Sequence, residues 1–236
     1  MKLIFYSLLL TCLTQCNQPA TPPSANVFKT TAITQAKSYD AIKNEIAVKR
    51  VDYKKVYFSS NTLQQKALLK EICAYWAGCL SNELFDQWNG TTWDFNGVAN
   101  HPGDGSIACG YFVTTLLRDM GLVINRQKLA TCASSEMMKK LAPNQKLLNL
   151  SYLDYHAFNE RLKNTGTAVY IIGLDFHTGF IVNDGSETWF IHSNYINRRG
   201  VTKEPVATSA ALRASKTRWM VSLTGDKDFL VNWLKK

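Results

Sequence analysis

Only four histidines stand among the 236 residues, and none is spaced as His-x-x-x-His or set in a Cys-His cluster. The six cysteines include no CxxC pair. Both absences argue against a metal site of the zinc type, and nothing calls for an organic cofactor. There is no Arg/Lys-rich run and no nucleic-acid-binding motif, so nucleic acid is a poor partner. Past the first twenty or so residues no apolar stretch is long enough to span a bilayer, and no internal repeat is visible. Hydrophobic residues nevertheless make up 46% of the chain and aromatics 11%, which excludes a disordered polymer and permits a sizeable core. The length suits one domain of ordinary size plus a tail.

The N-terminus reads as an export signal. Lys2 supplies a short basic region, and Leu3 to Leu13 an apolar stretch too short for a spanning helix. Leu13-Thr14-Gln15-Cys16 resembles a bacterial lipobox, although Gln15 stands where that pattern prefers a small residue. Cys16 is then the lipidation site. Asn17 to Asn26, rich in Pro, Thr, Ser and Gln, reads as a flexible tether. The expected organisation is a signal peptide over 1–15, a lipidated N-terminus and tether over 16–36, and one catalytic domain over 37–236. The formal net charge is +9, and loss of a signal containing only Lys2 leaves +8. Such a charge favours anionic surroundings. For an exported, membrane-anchored lipoprotein these are an anionic cell-wall polymer or the membrane face.

Cys12 lies in the signal and Cys16 at the lipidation site, which leaves Cys73, Cys79, Cys109 and Cys132. An exported compartment permits disulfides. Cys73 and Cys79 can bridge only if the helix carrying Cys73 ends between them, because their separation is wrong for a bridge inside a regular helix.

Hydrophobic periodicity predicts a short helix over Ala41–Val48 and a stronger one over Asn61–Ala77, with Leu63, Ala67, Leu68, Ile72, Tyr75 and Trp76 on one face. Asp86 to Ser106 holds Gly, Pro, Asn and Asp in the density of turns. A long aromatic-rich loop in a compact domain points to function. Ile107 to Met120 is a buried helix with Ser106 as cap and Gly121 as stop. A short helix is expected over Ser135–Leu141. Ser151 is expected to cap another that runs to Lys163. Then the pattern changes to strands: Thr167–Leu174, Thr178–Asn183, an Asp184-Gly185 hairpin turn, Glu187–Ser193 and Arg218–Leu223. An amphipathic helix, Asp226–Leu234, closes the chain. Helices first and an antiparallel sheet after give an α+β fold.

Cys109 falls at the start of the buried helix, behind a Gly-rich loop. There the helix dipole is expected to lower its pKa and favour the thiolate. A thiolate nucleophile needs a base and a third group to orient that base. His177 begins a strand, and His192 lies on the strand paired with it across the turn. Asp175, Asp184 and Asn194 are alternative orienters. Trp88, Trp93 and Phe95 are candidate substrate walls. Gln87 and Asn96 are candidate oxyanion donors beside the nucleophile's own N–H.

Gly105-Ser106-Ile107-Ala108-Cys109-Gly110-Tyr111-Phe112-Val113 resembles the nucleophile segment of the NlpC family of bacterial cell-wall cysteine peptidases, papain-like in fold. His177-Thr178-Gly179-Phe180-Ile181-Val182, then Gly185, then Phe190-Ile191-His192-Ser193 is similar to that family's His-Val-Gly strand, turn and Phe-Ile-His-Ala strand. The resemblance covers Trp93 to Ser193. It implies a papain-like catalytic domain in which Cys109 is nucleophile, His177 base and His192 orienter, with Trp93, Asn96, Gln87 and Tyr111 toward substrate. It implies hydrolysis of peptide bonds in peptidoglycan stem peptides. An acyltransferase or amidase acting on a lipid or protein, or a non-catalytic lipoprotein that binds wall fragments, are the alternatives. Ala108 stands where the family has Asp, Gly110 where it has Ser, and Trp93 where it has Tyr.

Overall fold

A computed structural model describes residues 37–235 of the chain. The export signal, Cys16 and the tether fall outside the described residues. Among those described, no helix is long and apolar enough to cross a membrane.

The first helix, α1, runs Tyr39–Ser59, far beyond the expected Ala41–Val48. In its second half Val51, Val56 and Phe58 are exposed, and the four-residue step from Tyr53 to Tyr57 keeps these two on the buried face with Ile42 and Ile46. Helix α2, Thr62–Gly78, opens with a reciprocal capping box between Asn61 and Gln64. Its buried residues are Ile72, Cys73, Trp76 and Ala77, whereas Leu63, expected on that face, is exposed. The helical path does not break between Cys73 and Cys79, although α2 itself ends at Gly78. It runs on through a π-turn, Cys79–Glu83, into α3, Leu84–Trp88, and both cysteines are free thiols. The condition for a bridge is not met, and Cys73 and Cys79 are not joined.

Helix α4 spans Cys109–Asp119, and Ala108 rather than Ser106 is its cap residue. Ser106 is taken up instead by an extended loop, in which its carbonyl accepts from Ala99 N–H and Val98 bridges Ile107. Gly121, at φ +91°, ends the helix as expected. Two short helices follow, α5 (Arg126–Ala130), which periodicity did not reveal, and α6 (Ser134–Leu141). Helix α7, Tyr155–Lys163, is capped by Asp154, not Ser151, because Asp154 Oδ1 accepts from Ala157 N–H.

The strands are β1 (Leu148–Asn149), β2 (Ala168–Gly173), β3 (Thr178–Asn183), β4 (Thr188–Asn194), β5 (Gly200–Pro205) and β6 (Trp219–Ser222). They form one antiparallel sheet in the order β1-β6-β2-β3-β4-β5. Helices α8 (Ala210–Ala214) and α9 (Lys227–Lys235) complete the domain. The protein is thus a mixed fold of helices and an antiparallel sheet.

Every residue of β2 and β3 is buried. Val169, Ile171, Phe180 and Val182 pack in one core with α1, α2, α4 and α9. Ile172, Ile181 and Phe190 pack in the other with Phe158 and Leu162 of α7 and Leu212 of α8. A strand covered on both faces reads as a continuous apolar run, which is why these segments showed no alternation.

Candidate active site

Cys109 reaches the site because two glycines allow close approach. A Cβ on Gly110 would stand 2.2 Å from the Ala130 carbonyl oxygen, so only glycine lets the start of α4 pack on the end of α5. Glycine at this position, where the resembled family has Ser, is required by this chain's own packing. A Cβ on Gly97 would stand 2.6 Å from Ile107 N, where the aromatic loop crosses the segment leading into α4. Ala108 N–H donates to Gly97 O at this crossing, and Ser193 Oγ donates to Ile107 O from β4.

The sulfur of Cys109 faces the backbone N–H groups of Thr178, Gly110 and Cys109 itself, all of which favour the thiolate. Burial outweighs them and pushes the thiol above its ordinary range. The expectation of a lowered pKa is corrected: the helix terminus does favour the anion, but the surrounding protein removes more hydration than the amides restore.

His177 and His192 meet as a pair. Phe180 faces Ile191 in the β3–β4 register, which sets Gly179 opposite His192 and leaves His177 on its diagonal. Gly179 makes the pair sterically feasible, since a Cβ there would lie 2.8 Å from His192 Cβ and 2.6 Å from Phe190 Cε2. His177 Nε2 and His192 Nδ1 are 2.7 Å apart. The His192 ring stacks on Phe190 at 3.9 Å between centroids, and His177 meets Tyr195 edge-on at 5.0 Å.

Sequence reasoning missed the next member of the chain of contacts, Glu204 on β5. Its Oε1 lies 3.3 Å from His192 Nε2, and its Oε2 lies 3.3 Å from Arg199 Nη1. Glu204 faces Phe190 in the β4–β5 register, again one diagonal away from His192. Burial raises the Glu204 pKa, but its bonds to His192 and Ser209 outweigh that and hold the carboxyl below its ordinary value. Gly200 to Pro205 offers only Val201 and Thr202 as β-branched residues, followed by Lys203, Glu204 and Pro205, so no alternating pattern marked it as a strand.

An ionised Glu204 decides the tautomers of both histidines. A carboxylate only accepts, so His192 Nε2 carries the proton and donates to it. His192 Nδ1 is then an acceptor, and His177 Nε2–H donates to it. That leaves the lone pair of His177 on Nδ1, the nitrogen that, among the described residues, has no hydrogen-bond partner. Burial holds both imidazoles neutral: His177 lies well below its ordinary pKa chiefly through desolvation and further because a second positive charge beside His192 is disfavoured, and His192 is lowered by desolvation despite Glu204. His177 and Cys109 share a cavity but no direct hydrogen bond, an arrangement common in sites without substrate.

The alternative orienters are engaged elsewhere. Asp175 accepts from the N–H groups of Lys216 and Thr217, Asp184 closes the hairpin turn, and Asn194 accepts from Ile196 N–H. Gln87 lies on α3 and donates to Lys37 O, so it is not an oxyanion donor. Trp88 is wholly buried and donates to Tyr39 Oη, so it is core rather than substrate wall. Trp93, Phe95, Asn96 and Tyr111, by contrast, line a cleft of about 640 Å³ that includes Cys109 and His177. His101 contacts Tyr39 and Asp40, and His156 is exposed on α7, so neither belongs to the site. Among the described residues no group of three His, Cys, Asp or Glu side chains is placed to hold a metal ion.

The chain matches no family model, no curated protein and no solved structure.

Proposed function

We propose that the chain is an exported thiol hydrolase of papain-like arrangement, which cleaves an amide or ester through an acyl-enzyme at Cys109. The observation that carries this reading is a half-buried thiol at a helix start sharing a cavity with a neutral histidine whose far nitrogen is engaged by a His–Glu relay. A neutral pair suits general-base activation: His177 Nδ1 takes the thiol proton, directly or through one water, as sulfur attacks the carbonyl carbon. The Cys109 N–H is the first oxyanion donor in this reading, and Asn96, which lines the same cleft, is the second. Collapse breaks the bond from the carbonyl carbon to the leaving nitrogen or oxygen, and the His177 imidazolium returns its proton to that atom. Water, deprotonated by His177, then attacks the thioester. The acid departs and Cys109 regains its proton.

Peptidoglycan stem peptides are the substrate implied by the family resemblance. In this reading lipidation at Cys16 leaves a chain of net charge +8, which is consistent with residence at an anionic wall or membrane. A second substrate reading, an amidase or acyltransferase handling an apolar acyl group, is favoured by the aromatic lining of the cleft.

The test is acylation of the full-length protein by 4-nitrophenyl acetate, with acid quenching and peptide mapping. Acetylation is expected at Cys109, in excess over the half-buried Cys132, and slowed at least ~10²-fold by His177→Ala, within the range of a positioned general base. Equal labelling of Cys109 and Cys132, unaffected by His177→Ala, would refute the reading.

A further inference from the structure

Two cavities meet at Cys109 and differ in character. The larger carries Trp93, Phe95, Val98, Tyr111, Phe176 and Tyr195 around the thiol. Besides the catalytic pair its polar groups are Asn96, Thr131 and the hydroxyls of Tyr111 and Tyr195, and no Lys, Arg, Asp or Glu lines it. The other, about 370 Å³, is walled by Ser134, Ser135, Cys132 and Asp175. Cys109 and His177 border both, and so does Phe176.

The exposure of the larger cleft's wall is unusual. Phe176 is 98% exposed, Phe95 79% and Val98 54%. Apolar side chains left in water singly need no explanation, but several that converge on a reactive thiol mark a binding surface. The wall is also braced. The Arg126 guanidinium lies 4.7 Å from the Tyr111 ring and donates to the Val98 and Ala99 carbonyls, and Tyr195 packs between Trp93 and His177. The cleft is therefore a preformed surface.

Charge assigns the two arms. Asp175 is held below its ordinary pKa, chiefly by its bonds to Thr217 and Lys216, so it is a carboxylate at neutral pH. It repels the carboxylate product of hydrolysis and attracts a protonated leaving amine. The acyl part belongs on the uncharged side.

We propose that the substrate is an N-acyl or O-acyl compound whose acyl group is an apolar chain, laid in the Trp93–Tyr195 cleft, with its amine or alcohol arm in the Asp175 pocket. This rests on Cys109 being the acylated nucleophile. It selects against a stem peptide, whose charged side chains find no partner in that cleft.

The experiment compares 4-nitrophenyl acetate with 4-nitrophenyl octanoate on the full chain, reading kcat/KM and the mass of the Cys109 adduct. The leaving group is common, so the ratio reports the acyl subsite alone. Each methylene taken out of water contributes roughly 4-fold, so an open cleft that buries part of the added chain is expected to favour octanoate at least ~10-fold. Phe95→Ser is expected to lower that ratio, cutting the octanoate rate more than the acetate rate. A ratio near one with Cys109 still acylated by acetate overturns the proposal and leaves the hydrolase reading standing. So does a ratio that Phe95→Ser does not change. Absence of any Cys109 acylation removes both.

Discussion

Gly179→Ala is the substitution that tests the His177–His192 geometry most sharply. The added methyl would lie 2.6 Å from Phe190 Cε2, 2.8 Å from His192 Cβ and 2.9 Å from the Ile191 carbonyl oxygen. Carbon atoms prefer about 3.5–4.0 Å, so β4 must retreat by about 1 Å. The His177–His192 contact is 2.7 Å, and a retreat of that size takes it beyond the ~3.2 Å limit of a good hydrogen bond. Overpacking at a buried site costs about 1–3 kcal/mol. Replacing glycine in a strand returns roughly 0.5–1 kcal/mol of backbone entropy. A net loss of about 1–2 kcal/mol is expected in urea denaturation at pH 7. The loss in Cys109 acylation is expected to be larger than that stability change explains, at least ~10-fold in fully folded protein, since His177 Nε2 loses the acceptor that fixes its tautomer. Long-range ¹⁵N–¹H correlation of the imidazoles reports the tautomers directly. Wild-type stability together with wild-type tautomers and acylation would show that β3 and β4 do not hold the pair as described.

Four further outcomes follow from the same geometry. Glu204→Ala should lower kcat for acylation at least ~10-fold with KM little changed, as loss of a tautomer-setting partner does, and an equal loss in both parameters would count against a positioning role. Both histidines have pKa values lowered from 6.5 by burial, so the unfolded chain binds protons that the folded one refuses. Stability is therefore complete above pH 6.5 and falls as pH drops below it, by up to ~1.4 kcal/mol per pH unit for each histidine; urea midpoints across pH 5–8 measure this, and His177→Asn should flatten the profile. Because burial raises the Cys109 thiol, its alkylation by iodoacetamide should still accelerate at and above pH 9.0 in the resting protein, and a plateau below pH 8 would contradict that. Gly110→Ser installs the residue the resembled family carries, yet its Cβ would stand 2.2 Å from Ala130 O, so it should lower stability by ~1–3 kcal/mol despite better helix propensity.

The hairpin was legible because its turn chemistry is strong: Asp184-Gly185 lies between two apolar β-branched runs, and Gly185 has φ +93°. The nucleophile helix was legible because a glycine-rich loop precedes it and Gly121 stops it. Strand β5 and helix α5 were not. Each is short, and neither has a periodicity longer than its own length. Their positions come from what they touch, β5 from pairing with β4 and α5 from packing beneath Gly110. Gln87 and Trp88 were misplaced because they look like members of a loop. The π-turn from Cys79 to Glu83 carries the helical path on to Trp88 and turns that ring into the core.

The sequence by itself determined the class of fold, a buried helix opening near Cys109 (expected from Ile107, found from Cys109), and a hairpin carrying His192, with His177 one residue before the strand it was expected to begin. These are consequences of local pattern: periodicity, turn residues and the alternation of side chains. Only the tertiary structure decided how those groups are tuned. Strand register put His192 on the diagonal of His177 and Glu204 on the diagonal of His192, a relation between residues distant in sequence. Burial then reversed the expected state of the thiol, because desolvation depends on everything packed around a group and not on its place in a helix.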